Sequence, residues 1–144
     1  MTGQFPYEIR EKYPHFLAED NVLWSKFIAA NPSLFDSVDY DVRISAGIKI
    51  PEGTPEALAK DMEALSKLRV DVLAYKSEDV TIIEVKPIGD MQAIGQLYTY
   101  NDQYVYRNRT ARPAEMVMVC YRVKSEDIRH SARRLGIKVV EVNP

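Results

Sequence analysis

Asp71, Glu84 and Lys86 are the residues whose types and spacing suit chemistry. Each lies at or beside a stretch that reads as β-strand. Val70, Val72 and Ala74 alternate with Arg69, Asp71 and Leu73, and residues 80–85 are β-branched and mostly apolar. Side chains alternate faces along a strand, so Glu84 and Lys86 point one way and Val85 the other. Lys76-Ser77-Glu78-Asp79 is a polar connector of hairpin length. Antiparallel pairing across it sets Asp71, on the open end of the first strand, beside Glu84 and Lys86 on the second. Two carboxylates and an ammonium, remote in sequence, then converge on one face.

That trio has a use. Mg²⁺ takes oxygen ligands in an octahedron and keeps several waters, so one or two carboxylates and a substrate phosphate suffice to hold it. The cation acidifies a bound water and neutralises phosphate charge in an in-line displacement. A neighbouring lysine can orient or deprotonate that water. The plainer reading is a surface ion pair, Glu84 with Lys86, and an ordinary strand aspartate. The apolar flank of Ile82, Ile83 and Val85 speaks for burial, and buried charge is seldom left without a partner or a metal.

Downstream, Gln96 and Tyr100 stand four residues apart on a stretch that reads as helix, and Gln92 extends their row by one turn. An amide and a phenol on that row could hydrogen-bond phosphate or stack on a base. Asp71 followed by Glu84-Val85-Lys86 resembles the PD-(D/E)xK nuclease superfamily, with Val70 in place of the leading proline. Gln96-Leu97-Tyr98-Thr99-Tyr100 is similar to the Q-x-x-x-Y helix of its RecB-type members.

The resemblance implies an α/β fold: a restriction-endonuclease-like αβββαβ core with an additional C-terminal αβ, a mixed central sheet flanked by helices. It implies a Mg²⁺- or Mn²⁺-dependent nuclease acting on DNA. Asp71 and Glu84 would hold the metal, Lys86 would act on water, and Gln96 and Tyr100 would position the strand. Members often carry an acid on the first core helix that supports the metal. Glu19 is the first candidate for that role here and Asp20 the second, against a plain first-turn acid favoured by the helix dipole. Two forms fit: a Holliday-junction-resolvase-like homodimer, and a RecB-like nuclease of single strands or ends. A non-cleaving binding or assembly module that keeps the fold is the alternative from another class.

The remaining bounds are consistent. A chain of 144 residues, 46% hydrophobic and 28% charged, suits one soluble domain spanning 1–144. No apolar run approaches the roughly 18 residues of a membrane span, and no basic-then-apolar leader opens the chain, so a cytoplasmic protein with no membrane partner is expected. Cys120 is the only cysteine, which excludes an internal disulfide and a four-cysteine iron–sulfur cluster. His15 and His130 match no zinc spacing. Net charge is −2, unevenly spread: residues 1–100 carry −6 and residues 101–144 carry +4. Arg107, Arg109 and Arg112 follow the tyrosine-rich helix and, with Gln92, Gln96 and Tyr100, are the candidate nucleic-acid contacts; a solvated basic loop is the equal alternative.

Element by element, residues 1–14 read as a loose arm and residues 18–30 as a helix with Leu23, Trp24, Phe27 and Ile28 as its apolar stripe. Residues 38–44 alternate as a strand, with a continuation toward Ile50, and Asp39, Asp41 and Arg43 form a charged row expected on an edge. Residues 51–67 read as an insertion with a short helix. Pro87-Ile88-Gly89-Asp90 reads as a turn with Asp90 as N-cap for a helix over 91–106, where Gly95 permits close approach to sheet or substrate. Residues 114–121 read as a strand covered on both faces, Ser125 as the cap of a helix stopping at Gly136, and residues 138–142 as a closing strand.

Overall fold

A computed structural model of the chain describes residues 2–44, 51–60, 69–108 and 112–144. Two strands rich in β-branched residues, β3 (Arg69–Lys76) and β4 (Asp79–Val85), pair antiparallel at its centre, Val72 opposite Ile83 and Lys76 opposite Asp79. Their connector is therefore only Ser77-Glu78, and Ser77 takes the positive φ of 52° that so tight a turn needs. β2 (Ser37–Arg43) lies antiparallel on the other side of β3. A two-residue strand β1 (Phe5–Pro6) pairs with β2 in turn.

Beyond β4 the sheet becomes parallel. β6 (Glu115–Cys120) and β8 (Ile137–Glu141) complete the order β1-β2-β3-β4-β6-β8. Parallel neighbours need crossovers. The helix α2 (Met91–Arg107) links β4 to β6, and α3 (Glu126–Arg134) follows β6 on the way to β8. Between them β5 (Ile88–Gly89) and β7 (Arg122–Val123) form a small parallel pair. The expected turn at Ile88-Gly89 is thus a short strand. Gly89 packs closely there: a Cβ would stand 2.4 Å from the Met118 sulfur, so that side chain would have to shift.

The sheet divides the core into two layers. Leu73, Ile82, Leu97 and Met118 pack with α2 and α3 on one side. On the other, α1 (Ala18–Ala30) buries Leu23, Trp24, Phe27 and Ile28, the expected stripe, against Val38, Tyr40, Val72 and Ile83. This is the mixed sheet flanked by helices expected for the fold, αβββαβ with a further αβ. No helix among the described residues is long and apolar enough to cross a membrane.

The N-terminal segment is not a loose arm. Tyr13 is 3% exposed, its hydroxyl meets Ser25 Oγ at 2.7 Å, and its ring packs on Tyr40 at 5.4 Å. The Tyr7 hydroxyl donates to the Asn31 carbonyl at 2.7 Å. Aromatic spacing without a helical or strand period hid this docking. β1 covers only Ser37 and Val38 of β2, so among the described residues the Asp39–Asp41–Arg43 row stands on an open edge, as expected. Ser125 precedes α3 without a side-chain cap bond. The continuation toward Ile50 and most of the 51–67 helix lie outside the described residues; residues 56–60 are helical.

Candidate metal centre

The register that pairs Val72 with Ile83 sets Asp71 opposite Glu84, one step toward the open end. Directly opposed residues share a face. The two carboxyls are in hydrogen-bond contact, and Asp71 Oδ2 also accepts the Val85 N–H at 3.0 Å. The aspartate thereby replaces a strand partner where the ladder ends. Glu84 is 7% exposed, and its Oε2 has no hydrogen-bond partner among the described residues.

Burial and mutual repulsion act together on this pair. Burial pushes the Glu84 carboxyl well above its usual range, and the Asp71 charge pushes it further. Burial also raises Asp71, opposed by its bonds from Glu84 and the Val85 amide. The pair therefore resists holding two negative charges, and a shared proton or a cation relieves it. Asp20, at the start of α1, is raised from 3.8 to about 6 by burial and then by the Asp71 charge. Glu19 is exposed and faces solvent. The first helix thus offers Asp20, not Glu19, because Asp20 lies on the turn's inner side.

Lys86 follows the last residue of β4, its backbone N–H bound to the Val119 carbonyl at 2.9 Å. Its ammonium turns toward α2 and donates to Asp90 Oδ2 at 2.8 Å, Asp90 Oδ1 at 3.0 Å and Gln92 Oε1 at 3.1 Å. It was expected beside the carboxylates; instead it is held at the helix start, still near enough for its charge to lower Glu84. Asp90 is the expected N-cap, accepting the Ala93 N–H at 3.0 Å. Gln92 is accordingly a partner of Lys86.

Gln96 and Tyr100 share one face of α2, as their spacing requires. The Tyr100 hydroxyl's titration is driven upward by burial and by the Glu84 and Asp71 charges, with the nearby Gln96 amide opposing the rise. Tyr100 is 4% exposed and so cannot stack on a base; its ring is core, within electrostatic reach of the carboxyls. Gly95 faces outward with nothing within 4 Å of where a Cβ would stand. Close approach to the sheet is not its reason.

The predicted basic contacts do not converge here. Arg112 pairs with Asp79 at 3.9 Å. Asp79 opens β4 and Glu84 lies five residues further on, roughly 17 Å at strand rise. Arg107 ends α2, while Asp90 and Lys86 mark the site at its beginning. Arg109 lies outside the described residues. The groups that flank Asp71 are others: Asp41, opposite it on β2, is contacted by Arg69 at 3.1 Å and by His15 at 3.4 Å. Only the neighbouring strand could reveal those partners.

The donor set fits a hard divalent cation. Such an ion accepts one or two carboxylates with water completing its shell. Here a contacting carboxyl pair has one buried oxygen unpartnered and a third acid within electrostatic reach. No group of three or more His, Cys, Asp or Glu side chains closes around one point among the described residues, so the third-ligand role expected of Glu19 is not met. Surface hollows along α1, one lined by Asn21, Val22 and Lys26, another by Lys26, Val140 and Asn143, include neither carboxyl. Chemistry, not depth, marks the site.

No protein-family model matches the chain. No curated protein matches it either. Among solved structures it is similar to the crystal structure of a repair endonuclease from Pyrococcus abyssi, with 16% identity and a TM-score of 0.52. The match covers 94% of this chain and 50% of that one, so the chain spans half that protein's length. The likeness is one of fold, the nuclease-like α/β arrangement of a central sheet between helices.

Proposed function

We propose that the chain is a metal-dependent nuclease hydrolysing DNA phosphodiester bonds, directed by strand ends or structure more than by sequence. The observation that carries this reading is the buried Asp71–Glu84 pair with its unpartnered Glu84 oxygen. Two like charges in low dielectric are costly unless a proton or a cation joins them. The fold likeness to a repair endonuclease supports it at the level of architecture.

Asp71 and Glu84 would hold Mg²⁺ or Mn²⁺, and the Asp20 carboxyl, within electrostatic reach of Asp71, would add to the site's attraction for a cation. When bound, the metal supplies an acidified water and neutralises phosphate charge. The chain's own groups do the remainder. Hydrolysis adds water's oxygen to phosphorus and breaks the bond to one sugar oxygen. Lys86, released from Asp90 by an arriving phosphate, donates hydrogen bonds to it and orients the attacking water. Gln96, on the same helix face as Tyr100, would offer its amide to the strand, the role the RecB-like helix motif suggests.

The alternative, a non-cleaving module, draws on one observation: the Lys86 ammonium is engaged away from the carboxyls. Incubation of labelled single-stranded, duplex and branched DNA with Mg²⁺, Mn²⁺ or EDTA separates the two. Cleavage by the wild type with metal is expected, reduced about 100-fold or more in Lys86→Ala. Equal cutting by wild type and variant would mark a contaminant and leave the module reading.

A further inference from the structure

The pairing of β4 with β6 does not stop at Glu84. The Lys86 N–H donates to the Val119 carbonyl at 2.9 Å, the Tyr121 N–H to the Pro87 carbonyl at 2.9 Å, and the Lys124 N–H to the Gly89 carbonyl at 2.8 Å. These bonds carry the parallel ladder outward through β5 and β7, with Ile88 opposite Arg122 and Gly89 opposite Val123. One further step sets Asp90 beside Lys124. Open α/β sheets hold their ligands at such carboxyl ends of parallel strands.

The ribbon so formed has two unlike faces. Gly89 and Val123 are buried, Gly89 against the Met118 side chain. Side chains alternate along a strand, so Ile88 and Asp90 share the other face with Arg122 and Lys124. Arg122 and Lys124 are exposed. Lys86 joins this face through its bonds to Asp90. Three cations thus stand around one acid. Burial would raise Asp90, yet the Lys86 and Ala93 hydrogen bonds and the charges of Lys86 and Lys124 hold it below its usual range. Lys86 already matches that carboxylate. Among the described residues, no acid lies within ion-pair distance of Arg122 or Lys124. Two positive charges are left over, roughly 7 Å apart at strand rise. Lys86 joins them to the carboxyl pair, since its charge acts on Glu84 as well as on Asp90.

We infer that Arg122 and Lys124, continuing from Lys86, form a phosphate-binding ribbon that carries a nucleic-acid backbone outward from the Asp71–Glu84 pair. The arginine forks onto phosphate oxygens, and the lysine meets them as a point charge. The strand then leaves past the start of α2, at the opposite end of that helix from Arg107. This deepens the nuclease reading, and only the position of the scissile bond rests on that reading; phosphate binding does not.

The test is binding without cleavage. Fluorescence anisotropy of a labelled DNA oligonucleotide, in EDTA and again in Ca²⁺, is followed across a salt titration. The proteins are wild type, Arg122→Gln, Arg122→Lys, Lys124→Gln, the Arg122→Gln/Lys124→Gln double variant, and Arg112→Gln/Lys138→Gln, which removes the same charge elsewhere. The ribbon double variant is expected to bind at least about 10-fold more weakly, with a salt slope shallower by one to two units. Arg122→Lys and the Arg112→Gln/Lys138→Gln control should stay within about 3-fold of wild type. Thermal melts check folding. Should the double variant melt early, Arg122→Gln alone decides, with a slope shallower by about one unit. Wild-type affinity in the ribbon variants, equal loss in the control, or no binding by the wild type in either buffer would overturn the ribbon. Ribbon-dependent binding without metal-dependent cleavage would keep the ribbon and remove the nuclease. Cleavage that needs Glu84 yet ignores Arg122 and Lys124 would do the reverse.

Discussion

Glu84 concentrates the site's electrostatics in one side chain. Its folded-state pKa is raised, so between the unfolded value and the folded value the native chain holds a proton the unfolded chain has released. Stability then falls as pH rises through that window and levels off above it. Asp20 has the same sign, over 3.8 to about 6. Asp36 and Asp90 are lowered and act oppositely, losing their contribution as pH falls below about 4. In EDTA the melting temperature should therefore decline from pH 4 upward, and Glu84→Gln should flatten most of the decline; a wild-type profile rising through that range would contradict the protonated pair. Divalent metal should reverse the loss at pH 7.5. At 100 times its dissociation constant a ligand adds about 2.7 kcal/mol, roughly 8–10 °C here. Calorimetry should show that gain in wild type and not in Asp71→Asn or Glu84→Gln.

At the scale of elements, the start of α2 does two tasks with one residue. Asp90 caps the helix through the Ala93 N–H and holds the Lys86 ammonium. Asparagine caps about as well as aspartate but lacks the charge. Asp90→Ala should cost about 1 kcal/mol, a fall of roughly 3–4 °C, while Asp90→Asn stays near wild type in melting. Activity should respond to both, because both free Lys86. If Asp90→Asn melts as low as Asp90→Ala, the ion pair and not the cap stabilises this junction. β4 shows the same economy: its burial carries the core, and its end presents Glu84.

Across the whole molecule, the N-terminal segment belongs to the core on the α1 side. Tyr13→Ala should cost about 3 kcal/mol by cavity formation and lost contacts, roughly 10 °C in a thermal melt. An unchanged melt would return the segment to a loose arm. The strand and helix periods, the α1 stripe and the Asp90 cap were legible in the sequence because they depend on neighbours a few residues away. So was the meeting of Asp71 with Glu84, since a short polar connector between two alternating strands leaves few registers open. The burial of Asp20 near the carboxyl pair, the capture of Lys86 by Asp90 and the pairing of Arg112 with Asp79 at the far end of β4 were not. Those depend on which helix side meets the sheet, where an ammonium finds its nearest carboxylate, and which end of the strands each loop reaches. Such contacts join residues from separate elements, and only packing the layers brings them within the few ångströms over which charge and hydrogen bonds act.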